Sequence, residues 1–235
     1  MTASDCRLQA PLLIINAGEV EYTRAERIQQ ELVARRRAGE IPDLLLLVEH
    51  PPVVTVGRSL GGLSGAVDVA GLAARGVPVH EVARGGEATW HGPGQLVGYP
   101  ILDLRALRCD LHWYLRSLEE TLIEALATLG YQAGRRPGHT GVWVAGRKVA
   151  SIGVAVRGWV TWHGFALNVA CPASAWGDLS PCGLPPEVMA SLADLPGPDV
   201  TLDEAREAIS EALCRVFCRN SVPAASVELL PPGVF

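Results

Sequence analysis

Apolar residues along the chain repeat with two periods. Residues 111–129 carry Leu111, Leu115, Leu118, Leu122, Ile123 and Leu126 at the three-and-four spacing of one helical face, with Asp110 placed as an N-cap and Gly130 just past the end. Residues 20–37 repeat more weakly through Ala25, Ile28 and Leu32 and close at Gly39. A last helix is expected from Leu202 to about Cys218, where Thr201 and Glu204 have the spacing of a capping box. Short continuous or β-branched apolar runs at residues 12–15, 44–49, 53–56, 78–82 and 96–102 predict strands, and Pro100 predicts an edge or a bulge in the last of them. Residues 141–145, 148–156 and 160–169 read as successive antiparallel strands that turn at Gly146-Arg147 and Arg157-Gly158. Residues 172–198, rich in Pro and Gly, read as irregular. Strands and helices do not alternate as βαβ units, so the expected class is α+β, with a central mixed or antiparallel sheet and flanking helices. No linker divides residues 1–235, which predicts a single domain.

Composition narrows the function. With 49% hydrophobic and 19% charged residues the chain can bury a large core. A net charge of −5 argues against a nucleic-acid surface, and no apolar run approaches the roughly 20 residues that cross a bilayer. The first residues include Asp5 and lack an apolar core, so a secretion signal is not expected and the expected location is cytoplasmic. The six cysteines form no CxxC pair and are expected to be reduced. Cys214 and Cys218 have helical spacing but no nearby His to complete a metal set, so no metal and no cofactor are implied. Among the 20 Lys and Arg residues, Lys148 is the single lysine.

The segment ARGGEATWHGPGQLVGYP, residues 83–100, is unlike a linker. Gly85 and Gly86 let backbone N–H groups approach a ligand, while Arg84, Thr89, His91 and Gln95 add donors of fixed reach. Neither the phosphate-loop nor the dinucleotide spacing is present. On composition alone the segment is either a small-ligand loop or a tight turn that satisfies its own backbone. Likewise Cys182, in an irregular stretch, and Cys171, at a strand end, cannot be ranked as nucleophiles on their local sequence.

The same segment resembles the signature of the lipoyl(octanoyl) transferases: Arg-Gly-Gly, two residues, Thr, an aromatic, His, two residues, Gly-Gln, and a Tyr four residues on. Arg84, Gly85, Gly86, Thr89, Trp90, His91, Gly94, Gln95 and Tyr99 meet every fixed position. LLLLVEHPPVVTVGR upstream, and GRKVASIGVAVRGWVTWHGFALNV and LSPCGL downstream, resemble the family's other blocks, in order, over about residues 10–220. The resemblance implies the fold of biotin and lipoate protein ligase catalytic domains. It also implies transfer of an octanoyl group from octanoyl-acyl carrier protein to a lysine on lipoyl domains, those of 2-oxoacid dehydrogenase E2 subunits and the glycine cleavage H protein. Carried over residue by residue, Arg84, Gly85, Gly86, Glu87, Ala88, Thr89, Trp90 and His91 would line the acyl site with Ser151, Ile152, Gly153, Gly164, Phe165 and Ala166. Lys148 and Cys182 match the catalytic pair, and His163 is expected nearby as a positioning donor.

The chemistry has a use for that pair. A thioester is already activated, so a cysteine can take the acyl group and yield it to an amine without ATP. A free thiol of pKa about 8.5 is roughly 3% thiolate at neutral pH; reaching about 90% needs about 3.4 kcal/mol. One ammonium within about 4 Å supplies that order of energy at an effective dielectric near 20. Arginine holds its charge permanently, whereas a lysine can also pass protons. Burying the seven carbons beyond the carbonyl is worth roughly 5–6 kcal/mol. The competing readings are an ATP-dependent lipoate or biotin protein ligase, which would leave Cys182 idle, and a non-catalytic acyl-binding module of the same fold.

Overall fold

A computed structural model describes residues 10–58, 67–172, 176 and 186–223. The chain runs β1 (Ala10–Glu19), α1 (Tyr22–Ala38), β2 (Asp43–Glu49), β3 (Val53–Val56), α2 (Val69–Ala74), β4 (Val79–Glu81), β5 (Ala88–His91), β6 (Gln95–Ile101), α3 (Leu111–Thr128), β7 (Ala133–Arg136), β8 (His139–Val144), β9 (Arg147–Arg157), β10 (Val160–Asn168), α4 (Leu202–Val216) and β11 (Arg219–Pro223). Eight strands form one mixed sheet in the order β11-β1-β2-β6-β10-β9-β8-β7, and β4-β3-β5 form a second, smaller sheet.

Both faces of the large sheet are covered, which explains the unbroken apolar run of β2. Leu45 and Leu47 pack with Leu118, Leu122, Ile209 and Leu213 beneath α3 and α4, whereas Leu44, Leu46 and Val48 pack with Ile28 and Leu32 of α1. Asp110 caps α3 by accepting from Trp113 N at 3.0 Å. The Thr201–Glu204 capping box opens α4 as expected. Gly39, in the left-handed region at φ 78°, closes α1.

Three expectations change. Pro100 lies in an interior strand, opposite Leu45 of β2. It is tolerated because β10 pairs with β6 only over residues 95–98. Beyond that point the Thr161 hydroxyl stands in for the ladder, donating to Pro100 O at 2.7 Å and accepting from Leu102 N at 2.9 Å. The tight turns fall one residue from the expected pairs, with positive φ at Ala145 and Gly146 and at Gly158 and Trp159. Finally, Cys218 is disulfide-bonded, against the expectation of reduced cysteines, while Cys109, Cys171 and Cys214 are free thiols.

Candidate active site

A cavity of about 460 Å³ lies at β9, β10 and β6, lined also by the segment that leads into β5 and by the start of α3. Registers place Val97, Ala166 and Ser151 in one row across the three strands, and Gly164 opposite Gly153 in the next row. The Gly85 N–H donates to Val154 O at 3.0 Å and pins the segment before β5 to β9. The approach is so close that a Cβ on Gly153 would lie 2.9 Å from Arg84 Cδ.

Arg84 is a structural cation as well as a cavity wall. It is 7% exposed, and its Nη2 donates to the carbonyl and the hydroxyl of Thr55 at 2.9 and 2.8 Å. A directed chain of hydrogen bonds continues from there. The Thr55 hydroxyl, already accepting from Arg84, donates to His91 Nε2 at 3.4 Å. His91 Nδ1–H donates to Gln95 Oε1 at 2.7 Å, and Gln95 Nε2 donates to Asn168 Oδ1 at 2.9 Å. Asn168 Nδ2 donates to Ala190 O at 3.1 Å, and Ala190 N donates to Lys148 O at 3.1 Å. This order requires a neutral His91, and burial, with the nearby His50 and Arg84 charges, holds its imidazole well below the usual range. Burial and the Arg84 and Arg58 charges likewise hold His163 at about 3, and burial holds His50 at about 4. The buried histidines are therefore not cations at neutral pH.

Lys148 is 2% exposed and faces the cavity. The β8–β9 pairing slips beside it, with Trp143 opposite Lys148 and Val142 opposite Ala150. Such a bulge re-aims a side chain. Lys148 also bridges to Met189. Cys182 lies outside the described residues. Cys171, the other candidate, is 5% exposed, and burial pushes its thiol up to about 12. None of Cys109, Cys171 and Cys214 lines the cavity.

Of the residues expected at the acyl site, 84–89, His91, 151–153 and 164–166 line this cavity with Lys148 and His163. Trp90 does not; its ring packs into the small core of the second sheet with Val54 and Met189. Alternation along β5 explains this, since Thr89 and His91 point one way and Trp90 the other. Sequence reading missed Tyr22, Tyr99 as a wall residue, Leu111, Leu115 and the turn at residues 138–140. Leu111 and Leu115 carry only the signal of an amphipathic helix, and nothing local marks the N-terminus of α1 or the β7–β8 turn as a cavity wall.

A two-sheet α+β fold with a cavity of about 460 Å³ and a buried lysine sets the class, and the chain matches the lipoyl protein ligase A/B catalytic domain over residues 21–214. Its fold is similar to that of a lipoate-protein ligase A solved with ATP, at TM-score 0.72 and 19% identity over 94% of this chain and 92% of that one. It is similar too to a bi-partite lipoate protein ligase from Thermoplasma acidophilum, at TM-score 0.70 and 19% identity over 95% and 91% of the two chains. Within the class, the chain is 46% identical to the octanoyltransferase of Gloeobacter violaceus over 91% of its own length and 93% of that protein. It is also 46% identical to the octanoyltransferase of Geobacter metallireducens, over 85% and 90% of the two chains. The chain belongs to the octanoyltransferase family.

Proposed function

We propose that this octanoyltransferase works through a Cys182 thioester, taking the acyl group from octanoyl-acyl carrier protein and passing it to a lysine of a lipoyl domain. The lipoyl domains of 2-oxoacid dehydrogenase E2 subunits, the glycine cleavage H protein and a cytoplasmic location are part of the same proposal. The observation that carries it is the burial of the chain's single lysine in the wall of the cavity, bridged to Met189, seven residues past position 182.

The Cys182 thiolate, stabilised by the Lys148 ammonium, attacks the thioester carbonyl of the carrier. A new C–S bond forms, the old one breaks, and the departing carrier thiolate takes a proton from Lys148. The acceptor amine then attacks the Cys182 thioester and gives its proton to the now neutral Lys148 as the Cys182 thiolate leaves. Lysine and thiolate both return to their starting states, so the cycle needs no ATP. The octanoyl chain lies along the row of Ser151, Ala166 and Val97, where burying its methylenes contributes about 0.8 kcal/mol each.

The test is to incubate the protein with octanoyl-carrier protein, without ATP, and weigh it. An octanoyl adduct is expected that hydroxylamine removes and Cys182→Ala abolishes. Lys148→Arg, which keeps the charge but cannot shed a proton, is expected to lower turnover by about 100-fold or more. No adduct, activity only with ATP, or wild-type turnover in Lys148→Arg overturns the mechanism.

A further inference from the structure

One buried charge near the cavity has no part in the mechanism above. Glu119 of α3 is 0% exposed. Its Oε2 accepts from Arg116 Nη1 at 2.6 Å and from Arg135 Nε at 2.9 Å. Its Oε1 accepts from the backbone N–H of Gly141 at 3.2 Å. A buried carboxylate is a poor device for stability alone, because desolvation consumes most of what the ion pairs return. It does define one geometry.

That geometry ends at Lys148. Gly141 opens the buried part of β8 at φ 133°, a backbone conformation that side chains rarely adopt. A Cβ there would lie 2.7 Å from Lys148 Cε and 2.5 Å from Ala150 O. The bare Cα of Gly141 is therefore the surface against which the last methylene of Lys148 rests. Its N–H is held by a side chain from α3, at the place where the β8–β9 ladder slips register. Two arginines fix the carboxylate, the carboxylate fixes Gly141, and Gly141 limits where the ammonium can go.

We infer that Glu119 is a positioning residue for acyl transfer, which through Gly141 holds the Lys148 ammonium on which the charge of the nucleophile depends. The inference rests on the Lys148–Cys182 reading. It distinguishes Glu119 from an ordinary ion-pair partner, because its effect travels through one backbone hydrogen bond. Removing the carboxylate should change the ionisation of the nucleophile as well as the melting temperature.

The experiment measures, on the full chain, steady-state kcat and KM for octanoyl-carrier protein and the pH midpoint for alkylation of Cys182 by iodoacetamide, read by peptide mass. For Glu119→Ala we expect kcat to fall at least tenfold with KM changed less than threefold, and the alkylation midpoint to rise by about one unit. Glu119→Gln keeps an oxygen for the Gly141 N–H and should recover kcat to within about threefold of wild type and restore the midpoint. If Glu119→Ala does not fold, Gly141→Ala, which leaves the arginine pairs intact, should raise the midpoint in the same direction. The inference is overturned if Glu119→Ala melts lower but keeps the wild-type midpoint, or if Glu119→Gln is as impaired as Glu119→Ala. Lys148→Ala separates the two levels. If it also leaves the midpoint unchanged, the Lys148–Cys182 reading has failed; if it raises the midpoint and Glu119→Ala does not, only the role of Glu119 falls.

Discussion

His50 shows how a single side chain ties the site to pH. Its Nδ1–H donates to Val20 O at 2.6 Å, so its Nε2 accepts from the Tyr99 hydroxyl at 2.7 Å. Burial holds its pKa at about 4, below the unfolded value near 6.5. The unfolded chain therefore binds more protons in that window. Stability from His50 is fully present above about pH 6.5 and is lost as pH falls toward 4. His163, held at about 3, adds a contribution of the same sign. By linkage, His50 alone accounts for about 2 kcal/mol of the stability lost between pH 7.5 and 5. Urea denaturation at the two pH values should show a His50→Gln variant losing less than the wild type by about that amount. Equal losses would show that the imidazole is not held neutral.

At the scale of elements, the site depends on how closely β10 approaches β6. A Cβ on Gly164 would lie 2.2 Å from the backbone oxygen of Gly98, which cannot swing aside as a side chain can. Gly164→Ala should therefore cost about 3 kcal/mol, the upper end for overpacking. Gly134→Ala, in β7 with nothing within 4 Å of the added carbon, should fall within about 0.5 kcal/mol of wild type. Equal urea midpoints for the two variants would show that the strands have room to part. What sequence could reveal at this scale follows from where each element's signal lies. Asp110 and the Thr201–Glu204 box are local, so α3 and α4 were legible to within about two residues. β11, with the sequence Arg-Asn-Ser-Val-Pro, has no strand pattern; it is a strand because β1 offers it a parallel edge. β5 hid inside the glycine-rich segment for the same reason, since its partner β3 lies more than thirty residues earlier. That residues 84–89 and Lys148 belong together was legible through the family motif, and they line one cavity. Glu119 was not, because a glutamate on an amphipathic helix gives no sign that Arg135 and Gly141 will bury it.

Asp43 joins these elements into one molecule. It is 4% exposed at the start of β2. Its Oδ1 accepts from Arg36 of α1 at 2.7 Å and from the backbone of Asp103 after β6 at 2.9 Å. Its Oδ2 accepts from Arg219 of β11, 176 residues away in sequence, at 2.9 Å. Asp103 in turn pairs with Arg105 at 2.7 Å. Removing one member of a buried pair leaves the other charged and unpaired, so Asp43→Ala should cost about 3–5 kcal/mol and lower Tm by roughly 10 °C. Because the carboxylate touches α1, the end of β6 and β11 together, the loss should appear as one displaced transition, with calorimetric and van't Hoff enthalpies equal in both proteins. That outcome is what a single domain spanning both sheets requires. An early, separate transition in Asp43→Ala would instead show that β11 and its neighbours unfold as a unit of their own, and that the cavity over β6, β10 and β9 does not depend on them.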